Sequence, residues 1–369
     1  MIHAKSSQFG SYAHDIFGAA SKALFGLALI AVAILAEPAA NAKALEAYFI
    51  DVEGGQATLF VTPAGQSLLI DTGWPGFNGR DADRIVAAAK MAGLKKIDYV
   101  LITHYHLDHG GGAPQLVERF PVGTFLDHGE NRETTDAPTV GVAEAYKKLV
   151  DSGKYKHIVE KPGDTLPLKG VHAVVISSDG AIIERPLPGA GQENPACQGA
   201  QSYPADSTEN KRSLGTLIEF GKLKILDLGD LTSDKEMELM CPTNKIGKVD
   251  IYVVSHHGWS QSGSPAFVHG ISPRVAIMDN GATKGGSPSS WDTIENTPGL
   301  ENLWQLHFSE EGGEQHNVAP EFIANPHGTD DAGNYLKLTA HEDGSFEVFN
   351  SRTKNTKKYA AAGGKANGR

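Results

Sequence analysis

Cysteine is nearly absent: the 369 residues hold two, Cys197 and Cys241. That excludes a disulfide-built miniprotein and a four-cysteine zinc finger. Positive charge is also short. Lys and Arg total 33 against 44 Asp and Glu, a formal net charge of −11. Such a balance argues against a broad electrostatic grip on nucleic acid or anionic lipid. No apolar run reaches the ~20 residues that a membrane-crossing helix needs; the longest, Ala23–Ala36, has 14. Internal repeats are missing as well. What is plentiful is glycine, 42 residues, and histidine, 15, in a chain that is 40% hydrophobic. The chain therefore buries a core and turns often, which disfavours a long-helix bundle. Its length suits two domains, or one large domain with insertions.

Lys5 and Lys22 precede the apolar run, and Ala40-Asn41-Ala42 follows it. This is the pattern of a secretion signal ending in an A-x-A cleavage site; the alternative is an uncleaved N-terminal anchor. The expected organisation is a signal peptide over 1–42, one body over 43–350, and a basic, disordered tail over 351–369. That tail carries six bases and no acid. The mature chain is expected to be periplasmic or secreted, with no integral membrane segment. In an oxidising compartment Cys197 and Cys241, 44 positions apart, are expected to pair, stabilising by roughly 3–4 kcal/mol. The alternative is two free buried thiols.

Alternating apolar stretches broken by Gly and Pro predict strands over Leu45–Val52, Ala57–Thr62 and Ser67–Asp71. Asp81–Ala92 has helical spacing, with Asp81 as a candidate N-cap. Ile97–Thr103 reads as a buried strand. Later strands are expected at Ala173–Ser177, Leu214–Phe220, Lys224–Leu228, Asp250–Ser255 and Arg274–Met278. Helices are expected at Ala113–Phe120, Val142–Asp151 and Lys235–Met240. Strands interleaved with helices predict a layered α/β body, with sheets inside and helices outside.

The segment that carries chemistry is His104-Tyr105-His106-Leu107-Asp108-His109-Gly110, directly after the strand Ile97–Thr103. In an extended chain, residues two apart share a side. His104, His106 and Asp108 then converge, and a turn at His109-Gly110 brings the fourth group round. Imidazoles and a carboxylate at ~2.0–2.2 Å suit zinc, and also manganese or iron. Four ligands in six positions exceed what one tetrahedral ion with an open position takes. They fit two ions ~3.5–4 Å apart, His104 and His106 on one, Asp108 and His109 on the other. The alternative is a histidine-rich surface loop.

Thr103–Gly112 (THYHLDHGGG) resembles the HxHxDH motif of the metallo-β-lactamase superfamily. Ser67–Gly73 resembles that family's opening hairpin with its Asp motif, here Asp71. Ser213-Leu214 through Leu228-Gly229-Asp230 resembles the strand pair that ends in a bridging aspartate. Ser255-His256-His257-Gly258 resembles the late-histidine motif. The order of blocks is most similar to the ComEC-type metallo-hydrolase domain and its secreted soluble relatives. The resemblance implies an α/β fold, the four-layer αββα metallo-β-lactamase sandwich, over 43–350. It implies Asp230 as a bridge between two cations, with a helix N-cap as the alternative. It implies His256 as a metal ligand and His257 as an outer group or general acid. Asp71 would orient the His106–His109 loop by hydrogen bonding. Many members add a histidine between the first motif and the bridge. His128, after the apolar stretch Val122–Leu126, is the candidate for that ligand; His307 and His316 are weaker ones. The chain departs from the pattern at Gly286-Ser287-Pro288, where ComEC-type domains carry Gly-His-Pro. Lys284, in the loop Gly281–Pro288, is a candidate for a substrate anion, or simply structural.

The resemblance implies a secreted metal-dependent hydrolase, with Asp108, Asp230 and His257 in catalysis and two zinc ions as cofactors. A water made acidic by the metal attacks the substrate. The substrate expected is a phosphodiester or phosphoester, small or wall-linked; the charge of −11 disfavours long nucleic acid. The alternatives are β-lactam or lactone hydrolysis, and a non-catalytic binding module with a degenerate metal site.

Overall fold

The computed structural model describes residues 44–326 and 332–363. The expected signal peptide lies outside them, as do the last six residues of the expected tail. In chain order, β1 (Leu45–Phe49), β2 (Thr58–Val61), β3 (Ser67–Ile70), β4 (Ile97–Leu101), β5 (Val122–Asp127) and β6 (Lys156–Val159) build a first sheet. Next, β7 (His172–Ser178), β8 (Ala181–Ile182), β9 (Gly215–Phe220), β10 (Leu223–Asp227), β11 (Ile251–Val253), β12 (Val275–Met278), β13 (Asn302–His307) and β14 (Ile323–Asn325) build a second. Finally β15 (Leu336–Ala340), β16 (Phe346–Asn350) and β17 (Thr356–Tyr359) return to the first sheet and pair through β15 with β1. Strands β3 to β6 run parallel, as do β10 to β14; the remaining pairs are antiparallel.

The strand period of two sorts side chains between layers. On β1, Leu45, Ala47 and Phe49 face a core shared by both sheets, while Tyr48 faces the opposite way. On β11, Ile251 and Val253 join the shared core, while Tyr252 points outward. Outside the first sheet lie the helices α1 (Arg80–Met91), α2 (Leu107–Gly110), α3 (Ala113–Arg119) and α4 (Ala137–Val150). They cover it with Ile85, Ala89, Leu116, Val142 and Tyr146. Outside the second lie α5 (Ser233–Met240), α6 (Pro265–Ile271) and α7 (Pro288–Glu295), which contribute Leu239, Phe267, Ile271 and Ile294. The order is helices, sheet, sheet, helices: the four-layer αββα sandwich. Among the described residues no helix is long and apolar enough to cross a membrane.

Two local expectations are corrected. The tail expected to be loose from Ser351 instead carries β17, because Tyr359 is buried, stacks on Phe346 and accepts a hydrogen bond from Trp304. Its lysines face outward from a sheet edge, a common way of keeping such an edge soluble. Asp81 is not an N-cap: Gly79 holds that position. Asp81 sits in the first turn and accepts from the Trp74 N–H and the Arg80 guanidinium. The long irregular stretch after β8 is anchored by the Cys197–Cys241 disulfide, with Cα atoms 5.8 Å apart.

Candidate metal centre

The ends of β3, β4, β5, β10, β11 and β12 gather at one edge of the paired sheets. The sheets nearly touch there. Leu214, leading into β9, donates its N–H to Thr103 O after β4 (2.8 Å), and Gly229 packs on Thr103. A Cβ on Gly229 would fall 2.9 Å from the Thr103 Cβ, and its φ of +55° already favours glycine. So Asp230, the next residue, is carried to the His104–His109 segment.

Within that segment the strand period fails early. His106 has extended geometry and caps α2, and Asp108 and His109 ride on this single helical turn. The expectation that His104, His106 and Asp108 line one side of an extended chain is therefore corrected: the turn, not alternation, brings Asp108 inward. Tyr105 goes to the core instead.

Two groups of side chains result. Asp108, His109, Asp230 and His257, all buried, form the first. Asp108 Oδ2 lies 3.2 Å from both His109 Nε2 and His257 Nε2, and those two nitrogens lie 3.2 Å apart. Asp230 Oδ2 is 3.2 Å from His109 Nε2, and its Oδ1 is 3.5 Å from His257 Nε2. A tetrahedral ion with bonds of about 2.0–2.1 Å has ligand-to-ligand edges of about 3.3–3.4 Å. His104, His106 and Asp230 form the second group. Here His104 Nε2 is 3.9 Å from Asp230 Oδ2, while His106 Nε2 is held at 3.0 Å by Glu133, on the loop before α4. One carboxylate, Asp230, thus faces both groups.

Tautomers support the ligand reading. Thr103 has one hydroxyl proton and gives it to Asp71 Oδ2 at 2.6 Å. His104 Nδ1, 3.0 Å from the same hydroxyl, must then donate to it. That leaves the His104 Nε2 lone pair bare, buried and without a hydrogen-bond partner. Asp71 also accepts from His109 Nδ1 at 2.6 Å, which turns His109 Nε2 toward Asp108 and Asp230. Asp71 adopts φ +60° and accepts the Thr103 N–H at 2.8 Å. Among the described residues its side-chain hydrogen bond to the first group is the one to His109.

Electrostatics follow from burial and crowding. Burial alone would raise the Asp108 carboxyl, but the Lys284 ammonium and His109 outweigh it and hold it well below the usual range. At Asp230 burial is likewise outweighed, by His109, His256 and His257. Burial would lower His109, yet Asp230, Asp108 and Asp71 push it well above the ordinary imidazole value. His104 goes the other way, lowered by burial and by His109 and His106. This is a knot of opposite charges with one unpartnered imidazole nitrogen, His104 Nε2, a donor set that a divalent cation satisfies.

The late histidines are reversed relative to expectation. His257, not His256, sits in the tetrahedral group, so its expected outer or general-acid place is corrected. Both have φ of 55°, a left-handed pair inside the 3₁₀ turn Ser255–Gly258. Two such residues in succession cost about 1–2 kcal/mol each. They swing His257 to the metal side, with Nδ1 3.3 Å from Asp279. His256 stands 3.5 Å from Asp230, beside Asn210 and Ser262, and burial lowers it to about 4.

His128 does not join the cluster. The buried Glu209 carboxylate takes its Nε2 at 2.9 Å, behind the Tyr105 ring. His307 pairs with Asp51 at 2.7 Å, beside Glu53, in a separate group. His316 packs on Trp291. Ser287 precedes α7 and donates to Glu311, so it does not stand in for a histidine at the cluster. Asp230 is not a cap either, since Thr232 holds the N-cap of α5. Glu133, Asp279 and the contact of Lys284 with Asp108 were not legible in the sequence. The loops that bring them carry no spacing signal.

Residues 50–192 match the model of the metallo-beta-lactamase superfamily. Recombination protein 2 of Haemophilus influenzae is 24% identical over 259 residues, 70% of this chain and 27% of that protein. ComE operon protein 3 of Bacillus subtilis is 25% identical over 190 residues, 51% of this chain and 20% of that one. Hydroxyacylglutathione hydrolase of Stenotrophomonas maltophilia is 33% identical over 107 residues, 29% of this chain and 37% of that enzyme. The chain spans about a quarter of the length of the first two relatives. The matched segment contains Asp71, His104, His106, Asp108 and His109, and over residues 50–192 the chain is similar to the metallo-beta-lactamase superfamily.

Proposed function

We propose that this protein is a metal-dependent hydrolase acting outside the cytoplasm on a phosphodiester or phosphoester of a small or wall-linked substrate. The hydrolase reading is carried by one observation: Asp108, His109, Asp230 and His257, all buried, each offer a ligand atom within 4.8 Å of the others, with both imidazole Nε2 atoms 3.2 Å from Asp108 Oδ2. A divalent cation there supplies a water acidified from about 15.7 to about 7. The side chains do the rest. Asp71 and Thr103 keep the His109 and His104 rings in the tautomers that present Nε2. Asp230 faces both groups and fixes their spacing. The two imidazoles and two carboxylates suit zinc, with manganese or iron as substitutes. A second ion fits His104, His106 and Asp230, a group that uses only three protein ligands.

The phosphoester reading rests on the ComEC-type order of motifs, from Ser67–Gly73 through Ser255–Gly258. The net charge of −11 points to small substrates rather than a long polyanion. Export is supported by the Ala40-Asn41-Ala42 pattern and by the Cys197–Cys241 disulfide, a bond kept in oxidising compartments. The test is turnover of bis-p-nitrophenyl phosphate and of nitrocefin, each with zinc or manganese and with EDTA. Metal-dependent phosphodiester cleavage is expected. Turnover of the lactam alone overturns the substrate class. Absence of both, with no metal retained, overturns the enzyme.

A further inference from the structure

Lys284 reaches the metal centre from the turn after β12. Its carbonyl accepts the Gly281 N–H at 2.8 Å, closing the turn onto Gly54. Gly54 has φ +76°, and a Cβ there would fall 2.9 Å from both Gly281 N and the Lys284 Cβ. Only glycine lets the two segments lie this close, so the base of the lysine is fixed. Its ammonium donates to Gly54 O at 2.7 Å and contacts Asp108 Oδ2. It also lies over the rings of Trp74 and Trp259, at 5.5 and 5.4 Å from their centroids. Two indole faces, a carbonyl and a carboxylate hold one cation, and the side chain is 18% exposed.

The carboxylate oxygen it contacts is the one that faces His109 Nε2 and His257 Nε2 at 3.2 Å. We propose that Lys284 is a tethered cation that competes for Asp108 and weakens the affinity of the Asp108–His109–Asp230–His257 group for a divalent ion. This rests on reading that group as a cation site. An incoming ion either shares Oδ2 with an ammonium or displaces it from Gly54 O and both indoles. In a buried site with little water to screen it, like charge on a shared oxygen is costly. The group is then a pocket that exchanges its ion, not one that locks it.

The test is zinc affinity by competition with a chromophoric chelator, followed in parallel by cobalt(II) absorption. The full chain is used, as wild type, Lys284→Met, Lys284→Gln, Asp108→Asn and Asp108→Asn with Lys284→Met. The binding step that belongs to this group is the one lost in His257→Ala. Both lysine variants are expected to tighten that step by roughly 10–100-fold, the range over which outer groups tune a metal ligand. In the Asp108→Asn background the same lysine change is expected to have little effect. Unchanged or weaker binding in both lysine variants overturns the proposal. So does equal tightening without Asp108, which would mean that the two do not act through that carboxylate. If wild type and every variant bind no cation, the cation-site reading itself fails. Two lysine substitutions, each checked by circular dichroism, keep the result from hanging on one fold defect.

Discussion

His256 and His257 share a left-handed turn but face different chemistry, and substitution separates them. His257→Ala removes one of four groups around a single point, so metal affinity is expected to fall by more than the roughly 10–100-fold typical of outer groups. His256→Ala leaves that set intact and is expected to stay within that range. Equilibrium dialysis against zinc checks both. Asp71→Asn is a sharper probe. Asparagine tolerates the φ of +60°. However, Thr103 N–H, the Thr103 hydroxyl and His109 Nδ1 all donate to Asp71, and an amide turns one of these contacts into donor against donor. Metal affinity is expected to drop roughly 10–100-fold with the fold intact. An unchanged affinity would mean that the carboxylate does not set the His109 tautomer. At this scale the sequence was legible where ligands cluster in one motif. It was not legible where loops bring single residues from far away. His104, His106, Asp108 and His109 stand within six positions. Lys284 lies 176 residues from Asp108 and Glu133 lies 27 from His106, and neither distance leaves a pattern.

Strands and helices near the motifs follow the period of their apolar residues, and most ends fall within a few residues of the expectation. The misses have physical causes. Leu336, Leu338 and Ala340 alternate on β15, as Phe346 and Val348 do on β16, but no chemistry-bearing residue marks them. Thr356–Tyr359 reads as a charged tail because two of its four residues are lysine. Its one inward aromatic decides the outcome. Tyr359→Ala is expected to cost about 3–5 kcal/mol, the range for losing a large buried ring. A chain ending at 350 is expected to lose at least as much. Urea unfolding measures both; a stability equal to wild type would return β17 to the status of a tail. The alternation expected through Asp108 fails for a related reason. A single turn of helix, α2, restarts the geometry in mid-motif, and only the structure places that break.

At the scale of the whole molecule, two buried acids contribute one arm of the pH response, opposed by His104 and His256, which burial lowers. Burial raises both Asp227 and Glu236 to about 7. An acid whose folded value lies above its unfolded one stabilises the fold when protonated. That stability is complete below about pH 4 and is lost as pH rises through about 7. The contribution of these two acids to the melting temperature is therefore expected to grow as pH falls from 8 to 5. Asp227→Asn keeps an acceptor for the Gly229 N–H and is expected to flatten that slope. A slope of the same steepness would assign the effect elsewhere.

The position of Asp230 between the two sheets has one more consequence. His104, His106, Asp108 and His109 hang from the first sheet, while Asp230 and His257 hang from the second. An ion held by both sides is a cross-link between halves of the sandwich, and it is reversible. At a free ion concentration a hundred times the dissociation constant, such a link contributes about 2.7 kcal/mol to folding. Chelation is then expected to lower the melting temperature by ~5 °C, at the roughly 2–4 °C per kcal/mol typical of domains somewhat smaller than this one. Scanning calorimetry with and without EDTA reads that shift. On the proposed reading, the same ion that serves the chemistry would then also act as a removable fastener between the two halves.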